Sequence, residues 1–221
     1  MTRNEVMARL ESLGDEKMKA IYAKNGSSRS HFGVKMGDLR TVAKEIKIDP
    51  DLSRELWQTE NMDAMLLSML IIKPKQLDLG DLERMVLDVT HPQVADWFSS
   101  YILKPHPQSE ELRQKWMDSD HDWTARMGWN LTSDRIIKKS DVVDAASLLD
   151  RIETEMGDAP EPKKWAMNFA LIYIGIHHPE LRERAIAVGE KLGAYRDYPT
   201  PKGCTSPFAP IAIPAMVKNE S

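Results

Sequence analysis

Apolar residues recur along this chain with the period of an amphipathic helix, nearly from end to end. Val6, Leu10 and Leu13 share one helical face that stops at Gly14, and Asp15 caps a second run carrying Met18, Ile21 and Tyr22. A loop of small and polar residues follows over 24–30. Asp38 is then read as the cap of a helix striped by Leu39, Val42, Ala43 and Ile46. Asp49-Pro50 opens the next helix, with proline at the first helical position. Asn61 to Ile72 is apolar enough to be buried on most sides. Further helices are expected over Leu79–Val89, from Thr90-His91-Pro92 to Lys104, and over Ser109–Met117. The series then continues over Asp122–Leu131, Ser140–Met156, Pro162–Gly175 and Pro179–Gly193.

Alternating Val/Ile/Thr runs of strand length are missing, which argues against a sheet. About eleven or twelve helices of roughly ten to fifteen residues, joined by short Pro- or Gly-marked turns, imply stacked antiparallel pairs. The expected fold is therefore all-α: a HEAT-like α–α superhelix, or solenoid, forming one C-shaped domain over 1–195. An irregular helical bundle is the alternative. From Arg196 onward the chain turns Pro-rich, with too much proline over 197–210 for a helix. Tyr198, Phe208, Ile211 and Ile213 offer anchors there. Residues 196–221 are thus expected to form an ordered tail on the last helices, fraying after about Met216.

Composition narrows the function classes. The chain has 221 residues with 42% hydrophobic and 29% charged, which excludes a disordered protein. No apolar stretch reaches membrane-spanning length and no signal peptide is apparent, so a soluble cytoplasmic protein is expected. A single cysteine, Cys204, fits the same compartment and cannot form an internal disulfide. The net charge of −4 argues against a globally basic nucleic-acid binder, but the charge is uneven. Residues 15–47 hold eight Lys or Arg against four carboxylates, which leaves the remainder at −8. That distribution suits either a phosphate-contacting face or an ordinary solvated surface.

Within this basic zone stands Phe32-Gly33-Val34-Lys35-Met36-Gly37-Asp38-Leu39-Arg40-Thr41-Val42-Ala43-Lys44-Glu45. It resembles a segment of the AlkD-type DNA alkylation repair family, and the likeness extends in helix order from about Glu5 to Gly193. The resemblance implies a HEAT-like solenoid whose concave basic face holds double-stranded DNA. Some members of that family excise N3- and N7-alkylpurines. Lys35, Arg40, Lys138 and Lys139 would be phosphate contacts. The family's carboxylate position falls on Asp96 in Pro92-Gln93-Val94-Ala95-Asp96-Trp97, where Pro92 replaces the family's aromatic. An Arg three residues after a Trp is matched by Trp123-Thr124-Ala125-Arg126. A further aromatic is matched by Phe169, with Trp165 one turn away. On this basis Asp96 would stabilise an oxocarbenium ion, Arg126 would grip a phosphate, and the rings of Trp123, Trp165 and Phe169 would face the lesion.

Bland roles exist for the same residues. Asp96 and Arg126 would serve equally as an inter-helix ion pair, and Trp57, Trp116 and Trp129 read as core. The acidic run Asp118-Ser119-Asp120-His121-Asp122 looks like a helix start rather than a metal site, and no metal or other cofactor is expected. The protein is expected to be a monomer, nucleoid-associated when bound to DNA. Two further readings remain: a non-catalytic binder of unusual or branched DNA on the same scaffold, or a protein-binding helical scaffold.

Overall fold

A computed structural model describes residues 1–24, 26, 28–139 and 142–220, with the side chains of 219 and 220 left aside. Asn25 and Ser27 of the expected loop, and Ser140 at the expected start of a later helix, lie outside the described residues. The described residues fold into helices, and the all-α class is as expected. They form two compact units, 1–109 and 110–221.

The first unit contains α1 (Arg3–Ser12), α2 (Glu16–Lys24), α3 (Met36–Ile46), α4 (Pro50–Trp57), α5 (Met62–Ser68), α6 (Leu79–Leu87) and α7 (Pro92–Trp97). Its centre is α5, which packs on α1, α3, α4 and α7 and is buried along its whole length. That follows from a segment with no polar stripe, started by Asn61, whose Oδ1 accepts from the Asp63 and Ala64 amides. Asp49 caps α4 with Pro50 at its first position, as the sequence implies. Asp38 is a correction. Helix α3 begins at Met36 with Lys35 at the cap position, so Asp38 lies in the first turn and acts on the helix dipole instead. Helix α7 runs on into a wider turn, Phe98–Leu103, where the Lys104 amide donates to the Ser99 carbonyl five residues back.

The second unit contains α8 (Ser109–Met117), α9 (Asp122–Ile137), α10 (Ala145–Glu155), α11 (Glu161–His177), α12 (Arg182–Leu192) and α13 (Ala209–Glu220). Here α11 is central, touching α9, α10, α12 and α13. Trp129, Leu149, Met167 and Leu171 are among its fully buried side chains. The helix α13 departs from the sequence expectation, since two prolines stand within it and it continues beyond Met216. Pro210 falls in the first turn, where a missing N–H costs nothing, and Pro214 is exposed. Docking compensates for the interior proline. A Cβ on Gly175 would lie 2.6 Å from the Ile213 side chain, and one on Gly189 would lie 2.9 Å from Pro210. These two glycines of α11 and α12 let α13 sit directly on their backbones. The buried Asn168 amide adds a hydrogen bond to the Pro207 carbonyl at 2.8 Å.

Candidate nucleic-acid interface

In the first unit the Phe32–Glu45 segment is a corner followed by a helix. Gly33 sits at φ +77°, a left-handed conformation that a side chain resists. The amides of Phe32, Gly33 and Val34 then converge on the Asp63 carboxylate at 2.6, 3.0 and 3.1 Å. Asp63 is fully buried. Burial pushes its pKa above the usual carboxylate range, and the three amides oppose that rise. The corner fixes where α3 starts, and so which way its polar face turns.

That face carries Arg40 and Lys44 at helical spacing, opposite the buried Leu39 and Val42, and Lys47 follows just past the helix end at φ +67°. The three cations line a groove of about 450 Å³ with Ala43, Ile48, Leu70 and Tyr101, and no carboxylate belongs to the lining. Arg40 is held in place from below. Its guanidinium lies 5.2 Å from the centroid of the Trp97 ring and donates to the Tyr101 hydroxyl at 3.2 Å. Trp97 and Tyr101 are themselves in ring contact at 5.1 Å. Asp96, one residue before Trp97, is exposed on α7, and Pro92 occupies the first position of that helix. The cap residue His91 is buried, and burial first of all lowers its pKa. Lys35 does not join the groove lining. It pairs with Asp15 at 2.9 Å and holds that carboxyl below its ordinary range.

In the second unit, Arg126 is buried at 4% exposure, with its guanidinium 5.7 Å from the Trp123 ring centroid. Trp165 meets Phe169 at 5.2 Å, Tyr195 at 5.1 Å and Tyr198 at 5.5 Å. The Tyr195 hydroxyl donates to Glu161 at 2.9 Å. Burial, followed by Glu161, raises the Tyr195 pKa, while the charge of Arg126 acts in the opposite sense. Arg126 therefore lies within electrostatic reach of the ring set. Tyr195 has φ +61°, an uncommon backbone for a bulky residue, in the loop that returns from α12 over α11.

Of the residues singled out from sequence, the second unit thus pairs Trp123 with Arg126 and Trp165 with Phe169. Lys138 and Lys139 follow the far end of α9, about 18 Å from Arg126 along the axis. Lys138 pairs with Asp134 at 2.7 Å, and Lys139 is exposed. Lys44, Lys47, Tyr101, Tyr195 and Tyr198 belong to these sites and were not singled out as site residues. The i, i+4 spacing from Arg40 is the signal that finds Lys44, whereas Lys47 stands past the helix end and Tyr101 inside the wide turn, where regular spacing gives no direction. No local pattern announces the two later tyrosines.

The acidic run serves a helix start. The His121 imidazole caps α9, and Asp118 accepts from Arg151 at 2.7 Å. Among the described residues no group of three or more His, Cys, Asp or Glu could hold a metal ion, and no helix is long and apolar enough to cross a membrane. Trp57, Trp116 and Trp129 lie in packed interiors.

Comparison with known proteins places this arrangement in context. A family model described as DNA alkylation repair enzyme matches residues 6–209. The uncharacterized protein Lin0241 of Listeria innocua is 25% identical over 199 residues, covering 87% of each chain. The uncharacterized protein Lmo0209 of Listeria monocytogenes is 24% identical over the same span and coverage. A solved structure, described as a new family of proteins related to the HEAT-like repeat DNA glycosylases with affinity for branched DNA structures, superposes with a TM-score of 0.82. It is 26% identical, and the match covers 100% of this chain and 95% of that one. The fold is accordingly of the HEAT-like repeat class.

Proposed function

The chain belongs to the DNA alkylation repair enzyme family, and from that premise we propose that it binds DNA chiefly through the phosphate backbone. The observation that carries this reading is the α3 groove, with three cations and no carboxylate in its lining. Arg40 is pre-oriented by Trp97 and Tyr101, so little side-chain entropy is lost when it meets a phosphate. In the other unit the exposed Lys139 is a further phosphate contact, while Arg126 is buried against the Trp123 ring. The affinity for branched DNA described for the solved relative supports branched as well as linear duplexes as ligands.

The test is fluorescence anisotropy on a linear duplex and a four-way junction over a salt series. We expect log Kd to vary linearly with log salt. In the triple variant R40A/K44A/K47A the slope falls by about three, and low-salt affinity drops at least about ten-fold. A triple variant with unchanged affinity and slope overturns the groove as the binding face.

A second reading, hydrolysis of the N-glycosidic bond of alkylpurines, is favoured by one observation. The Asp96 carboxylate is exposed on α7, one residue from the ring that supports Arg40. A carboxylate near a sugar stabilises the oxocarbenium ion that forms as the base departs, and it orients the attacking water. The protein is then expected to release 7-methylguanine from methylated duplex. Asp96→Asn should lower that release by about a hundred-fold or more with binding retained. Absence of release from the unsubstituted protein retires hydrolysis and leaves the binding reading intact.

A further inference from the structure

Between Trp165 and His177 on α11, thirteen residues, only four side chains are not buried: Trp165, Phe169, Tyr173 and His177. All four are rings, four residues apart, so from Trp165 onward the accessible stripe of this helix consists of rings in single file, with the exposed Glu161 one turn before them. Successive centroids lie 5.2, 6.2 and 6.2 Å apart, and the last pair is stacked with 25° between planes. The file is about 18 Å long. Tyr195 and Tyr198 extend it at the Trp165 end.

The water-facing stripe of a helix ordinarily carries polar residues, whereas here Phe169 and Tyr173 pack against the core and leave part of each ring accessible. A face built for protein association mixes in aliphatic side chains and Met, and none is found on this stripe. Charge at the two ends is mixed. At one end Glu161 accepts from the Tyr195 hydroxyl and the buried Arg126 acts on the same phenol, and at the other Lys139 acts on Glu180, three residues past His177. Rings in single file on an accessible helix face suit a polymer that presents successive flat faces. The ring spacing exceeds the roughly 3.4 Å rise between stacked bases in a duplex, which fits bases that have left the stack.

We propose that the α11 ring file is a stacking track for unpaired bases of a single-stranded DNA arm. This rests on the DNA-binding reading above and names the part of the ligand that a phosphate groove does not read. Three labelled ligands test it by anisotropy with the full chain: a blunt duplex, the same duplex with a single-stranded arm of about six nucleotides, and the same with an abasic arm. The abasic arm keeps every phosphate and removes every base.

The intact protein is expected to bind the base-bearing arm at least about five-fold more tightly than the abasic one. Tyr173→Leu should abolish that preference without changing blunt-duplex affinity, and Tyr173→Trp should retain it. Equal affinity of the intact protein for both arms overturns the track and leaves duplex binding standing. A Tyr173→Leu loss that is equal on all three ligands also overturns it, because the effect is then structural. Should Tyr173→Leu fail to fold by circular dichroism, the intact protein's preference between the two arms still decides. Failure of the intact protein to bind any of the three overturns the DNA reading itself.

Discussion

Replacing Asp63 with alanine is expected to destabilise the 1–109 unit by about 3 kcal/mol or more, because two buried amides and one part-buried amide lose their acceptor at once. Two of them, on Gly33 and Val34, belong to fully buried residues, and water cannot replace the carboxylate without opening the corner. Thermal melting should show the loss, and hydrogen exchange of the amides at 32–34 should rise well beyond that of α5. Asp63→Asn keeps one acceptor oxygen and should lose less. The pH dependence has a definite sign. The native state holds the Asp63 proton more tightly than the unfolded chain does, so this group's contribution is greatest in acid. It falls as pH rises from the ordinary carboxylate range through the raised value. That slope should vanish in Asp63→Ala. An alanine variant that melts like the parent, or shows unchanged exchange at 32–34, removes Asp63 as the anchor of the corner.

Gly128→Ala is expected to cost the second unit a comparable amount, about 3 kcal/mol or more, through overpacking against backbone. A Cβ there would lie 2.3 Å from the Met117 nitrogen and 2.6 Å from the Trp116 carbonyl carbon. Neither atom can rotate away, so α8 and α9 must separate. The contact also brings the Thr132 hydroxyl within 2.9 Å of the Met117 sulfur. A drop in Tm of roughly 10–20 °C follows for a unit of this size. The internal control is Gly37→Ala in α3, where a Cβ meets nothing within 4 Å. Helix propensity alone should make that variant neutral or up to about 1 kcal/mol more stable. Equal melting of the two variants would show that α8 and α9 yield at Gly128 far more easily than their geometry implies.

Helix starts were legible at Asp49, Asn61 and Asp15, where a short polar cap precedes the apolar run, but not at Asp144, which caps a helix expected to begin at Ser140. Asp38 misled because a carboxylate in the first turn and one at the cap look alike in sequence and differ only in which amides they face. The helix α13 was hidden by its prolines, since the backbone contacts at Gly175 and Gly189 that outweigh them lie far away in sequence. The site divides in the same way. Trp123 with Arg126, and Trp165 with Phe169, follow from helical spacing. The Arg40–Tyr101 bond spans sixty-one residues and the Tyr195–Glu161 bond thirty-four, so only the fold brings these partners together. Tyr173 and His177 continue the Trp165 spacing and were readable in principle. Their accessibility was not, because it depends on how α9, α12 and α13 cover the rest of α11.

The wide turn at Phe98–Leu103 bears on how positions beyond it are counted. A five-residue hydrogen-bonded turn uses one residue more than an α-turn, so every position after it is displaced by one from the count a regular helix would give. Counting positions from Asp96 by regular helical geometry therefore misjudges by one the direction of side chains on the far side of this turn. The ring contact between Trp97 and Tyr101, which spans the start of the turn, is the fixed point from which the direction of the following residues is read.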